Sequence, residues 1–225
     1  MIRINNLSKT YGNKRVLHNI ELELEAGRVY GIVGENGAGK TTLFRCIAGL
    51  ESFDGDVASD FPKLKNRLGW LETNPVFMSK ITGWEYLKLL CIARGIRTEQ
   101  FEEQNIFDLP LHQYCETYST GMKKKLALMG ILLQQNDVFI LDEPFNGVDI
   151  HSNMIIAEII RALRSRGKTV LISSHIFSTL SDNCDRIYLL REGHIAQNVG
   201  REAFEQLDRD MRNFVVGDRV ERLKF

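Results

Sequence analysis

The chain mixes short unbroken apolar runs with longer stretches in which apolar residues recur every three or four positions. Val29-Tyr30-Gly31-Ile32-Val33, Val138-Phe139-Ile140-Leu141 and Thr169-Val170-Leu171-Ile172 are runs of the first kind. A strand covered on both faces has no polar side to show, so these runs predict strands buried in a sheet. The stretches that follow the first two read differently. Residues 42–48 and 150–166 predict helices, and the second carries Ile155, Ile156, Ile159, Ile160 and Leu163 on one stripe. Gly49 suits the C-cap of the first. Strand followed by helix, and then again, predicts an α/β core.

Other segments carry weaker patterns. Residues 2–7 alternate and predict a strand, ended by the turn-rich Ser8-Lys9-Thr10-Tyr11-Gly12-Asn13. Val16, Ile20, Leu22 and Leu24 recur near every second position and predict another strand, broken near His18-Asn19. Residues 52–60 are polar and hold a short strand at most. Residues 67–72 predict a strand stopped by Asn74-Pro75. Thr82-Gly83-Trp84-Glu85 has the form of a capping box ahead of Leu87, Leu90, Cys91 and Arg94 at helical spacing. Two more helices are expected over 100–109 and 119–135. Residues 176–181 predict a short helix, and 186–190 with 194–199 flank Glu192-Gly193 as a hairpin. A helix is expected beyond Gly200, before a charged tail from Arg219 to Phe225. The organisation expected is one domain over 1–225, with core 1–79 and 136–210, a helical insert near 80–135, and 211–225 unassigned.

Composition narrows the class. Of 225 residues, 44% are hydrophobic and 26% charged, the balance of an ordinary globular chain with a full core. Lys plus Arg and Asp plus Glu are both 29, so no bulk positive charge calls for nucleic acid, and none is expected as a partner. Cys46, Cys91, Cys115 and Cys184 form no metal-ligand spacing and are expected to be reduced, partly buried thiols of a cytosolic protein. The N-terminus lacks an apolar signal core, so no secretory signal is expected. The most apolar stretch, Leu126 to Leu133, falls far short of the roughly 18 residues that a membrane span requires.

The first buried run leads directly into Gly34-Glu35-Asn36-Gly37-Ala38-Gly39-Lys40-Thr41, followed by Thr42 in a helical pattern. A G-x-x-x-x-G-K-T string between strand and helix reads as a phosphate-binding loop. Its glycines let backbone N–H groups wrap an anion at the positive end of a helix. Lys40 is expected to reach the β- and γ-phosphates, and the Thr41 hydroxyl to hold Mg²⁺. The second buried run ends in Asp142-Glu143. There Asp142 is expected to meet the same Mg²⁺, and Glu143 to polarise an attacking water.

Tyr118-Ser119-Thr120-Gly121-Met122 stands at a predicted helix start ahead of the Asp142 strand. It resembles the L-S-G-G-Q signature of the ATP-binding cassette family, with Ser119 and Gly121 matching and Tyr118, Thr120 and Met122 departing. The variant is similar to those of export-type cassettes. The resemblance runs in family order from Tyr11 to His175. It implies an α/β fold with a P-loop NTPase (RecA-like) core, an N-terminal antiparallel β-subdomain and an inserted helical subdomain. It also implies Tyr11 stacking on adenine, Ser119 and Gly121 facing the nucleotide of a second cassette, Asp149 in the loop that crosses between copies, and His175 as the γ-phosphate switch.

The function implied is an ATPase that binds ATP and Mg²⁺, works as a homodimer or paired cassette, and powers transport through a separate transmembrane permease. Export is the direction the signature favours, and the place is the cytoplasmic face of the cell membrane. The alternative is a soluble cassette switch in translation or DNA repair. Lys123, Lys124 and Lys125 read as a solvated helix face, with added field at a phosphate as the other reading. The family's glutamine after the 67–72 strand is absent: Thr73 aligns without a shift, Glu72 with a shift of one. Phe77, Met78, Trp84 and Tyr86 stand where a permease would dock, or pack inside the helical lobe.

Overall fold

The computed structural model describes residues 1–216; the charged tail from Arg219 to Phe225 lies outside the described residues. The three apolar runs are β3 (Val29–Val33), β6 (Val138–Asp142) and β7 (Thr169–Ser174), and every residue in them is buried. They form the middle of a six-stranded sheet with β5 (Leu68–Leu71), β8 (Arg186–Arg191) and β9 (His194–Gly200), in the order β5-β6-β7-β3-β8-β9. All its pairings are parallel except the β8–β9 hairpin. That hairpin turns on Glu192 and Gly193, at φ 48° and 76°. Two positive φ values are what a turn matching strand twist requires.

Side chains alternate between the two faces of this sheet, and each face has its own core. Tyr30, Ile32, Val138, Ile140 and Leu171 point to one side, where α1 (Lys40–Ile47) and a three-stranded antiparallel sheet cover them. That second sheet has the order β2-β1-β4, from β1 (Ile2–Tyr11), β2 (Lys14–Leu24) and β4 (Asp54–Ser59). Val33, Phe139, Leu141, Val170 and Ile172 point to the other side. Residues of α2 (Gly83–Ala93), α3 (Thr120–Leu133), α4 (Ile150–Ser165), α5 (Phe177–Ser181) and α6 (Phe204–Val216) join them there. Each fully buried Leu, Ile or Phe contributes ~2 kcal/mol of transfer free energy, so both covers are held firmly.

Local signals held where one residue sets the backbone. Thr82 and Glu85 form the capping box of α2, and Gly49 follows α1 at φ 72°. The expected break at His18-Asn19 is a bulge inside a continuous β2. Asn19 takes φ 46°, its N–H donates to Ser8 Oγ at 2.9 Å, and the β1–β2 register shifts alongside. Strand β1 likewise runs on through Ser8-Lys9-Thr10 to Tyr11, where the sequence predicted a turn. The helix expected over 100–109 is absent, and that stretch is a set of turns. Asn105 holds Leu109 by both its carboxamide groups and Asp108 sits at φ 50°, so side-chain bonds displace the helical ladder while Phe101 stays fully buried. The four cysteines are all buried and unpaired.

Candidate functional site

Parallel strands leave the sheet at one edge, so the loops after β3, β5, β6 and β7 converge. The first is the glycine loop, the second carries Thr73, the third Glu143 and Asn146, and the fourth His175. Together they line a cavity of about 300 Å³ whose walls include Asn36, Gly37, Gly39, Lys40, Thr41 and Thr42 from the loop and the start of α1. Thr73, Asp142, Glu143, Asn146 and His175 form the facing wall, and Val16 of β2 closes one end.

Gly39 caps α1 at φ 109° without any side chain to bond the helix start. The first N–H groups of a helix have no partner within it, so they point into the cavity mouth as anion donors. Lys40 is buried, and its ammonium donates to the carbonyls of Gly34 at 2.7 Å and Glu35 at 3.2 Å. The same ammonium stands 3.9 Å from Oε1 of Glu143. Burial pushes the Lys40 pKa down, and the charges of Glu143 and Asp142 oppose that shift.

Asp142 is fully buried at the end of β6. Its Oδ2 accepts from Thr41 at 2.6 Å and from Thr73 at 2.7 Å, and its Oδ1 accepts from Ser173. Three hydroxyls thus satisfy a buried carboxylate in place of a cationic partner. Ser173 Oγ also accepts from the Glu143 N–H at 2.9 Å. The Glu143 backbone is left-handed at φ 51°, and its Oε2 lies 3.0 Å from His175 Nδ1. A carboxylate held between an ammonium and an imidazole, at the mouth of an anion cradle, can accept a proton from water beside a phosphate.

The remaining predicted residues are outside this lining. Gly34, Glu35 and Ala38 turn to the other side of the loop, where they line a cavity of about 240 Å³ with Leu189 to Glu192 and Met211. Tyr11 ends β1 with its ring 42% exposed, beside Thr42 and beneath the Lys9 ammonium at 4.7 Å from the ring centre. Desolvation first, and then the Glu51 charge, raise its hydroxyl pKa. Ser119 caps α3 by accepting from the Met122 N–H at 3.2 Å. Gly121 packs against the Gly147 carbonyl, which a Cβ would meet at 2.7 Å. Asp149 caps α4, accepting from the Ser152 N–H at 2.9 Å, while its other oxygen takes Lys125 Nζ at 3.3 Å.

The lysine run is not a solvated face throughout: Lys124 is 1% exposed and donates to the carbonyls of Glu143 at 2.8 Å and Asn146 at 2.7 Å. Of Glu72 and Thr73, it is Thr73 that donates to Asp142, at 2.7 Å, whereas the Glu72 carboxylate lies 3.9 Å from Arg45. Ser173 was missed, because its bond to Asp142 depends on β6 pairing with β7, which puts Asp142 and Ser173 opposite each other. Among the aromatics, Phe77 meets Tyr86 edge-on at 4.7 Å and Trp84 meets Phe101 at 5.5 Å, so these rings pack within the helical lobe, whereas Met78 is exposed.

The model of a family described as ABC transporter matches residues 17–146. The chain is 30% identical to the bacitracin transport ATP-binding protein BcrA of Enterococcus faecalis, over 97% of this chain and 75% of that protein. It is 29% identical to the lantibiotic transport ATP-binding protein SrtF of Streptococcus pyogenes, over 96% of this chain and 98% of that one. Among solved structures, a dimeric ATP-binding cassette in a post-hydrolysis state bound to ADP and Pi shares the fold. Its TM-score is 0.79 at 20% identity, covering 89% of this chain and 99% of that one.

Proposed function

The chain belongs to the ABC transporter family, and from that premise we propose that it is the ATP-hydrolysing subunit of an exporter whose membrane-spanning part is a separate permease. The observation that carries the site assignment is the position of Glu143, held by Lys40 at 3.9 Å and His175 at 3.0 Å where the phosphate cradle opens. The relatives named for bacitracin and lantibiotic transport support the transport role. No helix among the described residues is long and apolar enough to cross a membrane; attachment to the cytoplasmic face through the permease is part of the proposal. The soluble-switch alternative has no comparable support.

In this reading one cassette spans 1–225, with a helical lobe near 80–135 set into the core. The loop from Gly34 to Thr42 wraps the triphosphate with backbone N–H groups, Lys40 neutralises the β- and γ-oxygens, and Tyr11 stacks on the base. Glu143 takes the proton of the attacking water, and His175 holds that carboxylate and meets the γ-phosphate. The donors present fit a hard divalent cation: an oxygen set of Asp142, Thr41 and Thr73, with no soft ligand among them. Mg²⁺ bound there would neutralise phosphate charge. Ser119 and Gly121 would reach the nucleotide of a second copy, with Asp149 at the crossing loop; the dimeric structural neighbour supports such pairing.

Substituting Glu143→Gln tests the assignment. Turnover is expected to vanish while ATP binding persists, and near-normal hydrolysis would remove Glu143 from the role. Co-purification with an integral membrane protein is the expected result for the transport reading. Recovery with ribosomes or DNA instead would support a soluble switch.

A further inference from the structure

We propose that Lys124 is a positioning residue for ATP hydrolysis, a buried ammonium that ties the helix bearing Ser119 and Gly121 to the turn bearing Glu143. The inference rests on the functional reading above and adds a residue to it.

A buried ammonium is costly unless its donors are used. Lys124 is 1% exposed and uses two of its three on the carbonyls of Glu143 and Asn146. It forms no ion pair with a carboxylate among the described residues, so its charge is spent on two peptide groups. Those two carbonyls bracket the turn that starts at Glu143 and leads to Gly147. An apolar side chain would fill the same space at lower desolvation cost. Burial lowers the Lys124 pKa, while the nearby Glu143 and Asp142 charges favour its ionised form. The ammonium therefore lies in the field of the two acids, as that of Lys40 does.

The backbone at Glu143 explains what the contact does. A left-handed φ of 51° is disfavoured for a residue with a Cβ, and persists only where surrounding bonds over-determine it. Ser173 Oγ takes the Glu143 N–H at 2.9 Å, and the Asn146 N–H reaches the Glu143 carbonyl at 3.2 Å. Lys124 supplies a second donor to that carbonyl at 2.8 Å and anchors the far end of the turn through Asn146. With the peptide groups on both sides pinned, the Cα–Cβ direction of Glu143 is set, and it leads the carboxylate to Lys40 and His175. Gly121, one turn earlier on α3, touches the same segment at Gly147. The start of α3 and the Glu143–Gly147 turn are thus tied together by the two Lys124 bonds and the Gly121–Gly147 contact.

The test uses the full chain with Lys124→Gln, Lys124→Met and, as a control, Lys123→Gln. Steady-state hydrolysis, binding of a fluorescent ATP analogue and the thermal unfolding midpoint are measured for each. Both Lys124 variants are expected to keep the analogue's Kd within about threefold and to lose at least about tenfold in kcat, Met more than Gln, because Gln retains a donor. The control is expected to match wild type. Met has nearly the length of Lys without its charge or donors, so a packing role alone would leave its kcat intact. A Lys124→Met variant with kcat near wild type overturns the proposal. So does a parallel fall in kcat, binding and unfolding midpoint, or failure of both variants to fold, since either outcome makes the residue structural. A wild-type chain that binds ATP without hydrolysing it would instead remove the functional reading itself.

Discussion

Thr73 donates its hydroxyl to Oδ2 of Asp142 at 2.7 Å, sharing that oxygen with Thr41 at 2.6 Å. The bond joins the loop after β5 to the end of β6, its parallel neighbour. Replacing Thr73 by Val keeps the shape and removes the donor. The expected loss is about 1.5 kcal/mol in stability, the low end for a hydrogen bond to a charged group because Thr73 is only half-buried. The Mg²⁺ concentration for half-maximal turnover should rise, while nucleotide binding without metal stays unchanged. Denaturant unfolding and a metal titration of both proteins check this, and an unaltered metal response would take Thr73 out of the cation's surroundings.

Gly34 is a glycine for reasons of space. A Cβ there would lie 2.3 Å from the Leu190 carbonyl oxygen, a backbone atom that cannot swing aside. Gly34→Ala must push the phosphate loop away from β8. The expected cost is about 1–3 kcal/mol, as for other overpacked sites, with weakened ATP binding. Calorimetric binding would show it; wild-type affinity in this variant would mean that the loop is looser than its packing implies.

Asp149 carries a pH dependence. Its carboxylate accepts first from the Ser152 N–H and then from the Ser152 hydroxyl, and these bonds hold its pKa well below the usual carboxylate range. A depressed folded pKa contributes stability that is whole above the unfolded value of about 3.9, declines as pH falls below it, and is gone only once pH has passed through the folded pKa. Asp149→Asn keeps an N-cap acceptor but does not titrate. Wild type is therefore expected to unfold at a higher temperature than the Asn variant at pH 6, and the gap should start to narrow as pH falls below about 4. A gap that ignores pH would assign the difference to something other than ionisation.

The buried thiols and phenols act at the other end of the scale. Desolvation pushes Cys46 and Cys115 up to about 11, and Tyr86, Tyr118 and Tyr188 up to about 12. A raised folded pKa means that the native state keeps its protons longer. Their contribution is whole below the unfolded thiol value of about 8.5 and declines as pH climbs towards the folded values. The unfolding midpoint is expected to fall between pH 9 and 11. Ellman's reagent should react slowly with all four cysteines in the native protein and quickly in denaturant. Rapid native labelling at pH 8 would contradict their burial.

Most elements of the fold and the principal chemistry were legible along the chain because their signals are local. Val29 to Val33 shows no polar face, Gly39-Lys40-Thr41 marks a strand-to-helix cradle, and Thr82 with Glu85 writes a helix cap within one turn. Residues 100–109 misled for the same reason: their composition allows a helix, but Asn105 bonded its own backbone neighbour instead. Lys124 misled because a triplet of lysines carries no record of which one turns inward. Burial of that side chain depends on where the Glu143 turn comes to lie.

By itself, the sequence determined most of the strands and helices, the glycine loop between β3 and α1, and the pairing of Asp142 with Glu143 at a strand end, since periodicity and turn chemistry act over a few residues. Tertiary structure alone decided the bonds from Thr73 and Ser173 to Asp142 and the inward turn of Lys124. Thr41, Thr73 and Ser173 stand 101, 69 and 31 residues from Asp142 along the chain. They meet because β5, β6, β7 and β3 lie side by side in an order that differs from their order in the chain, and that arrangement is settled by burying both faces of one sheet.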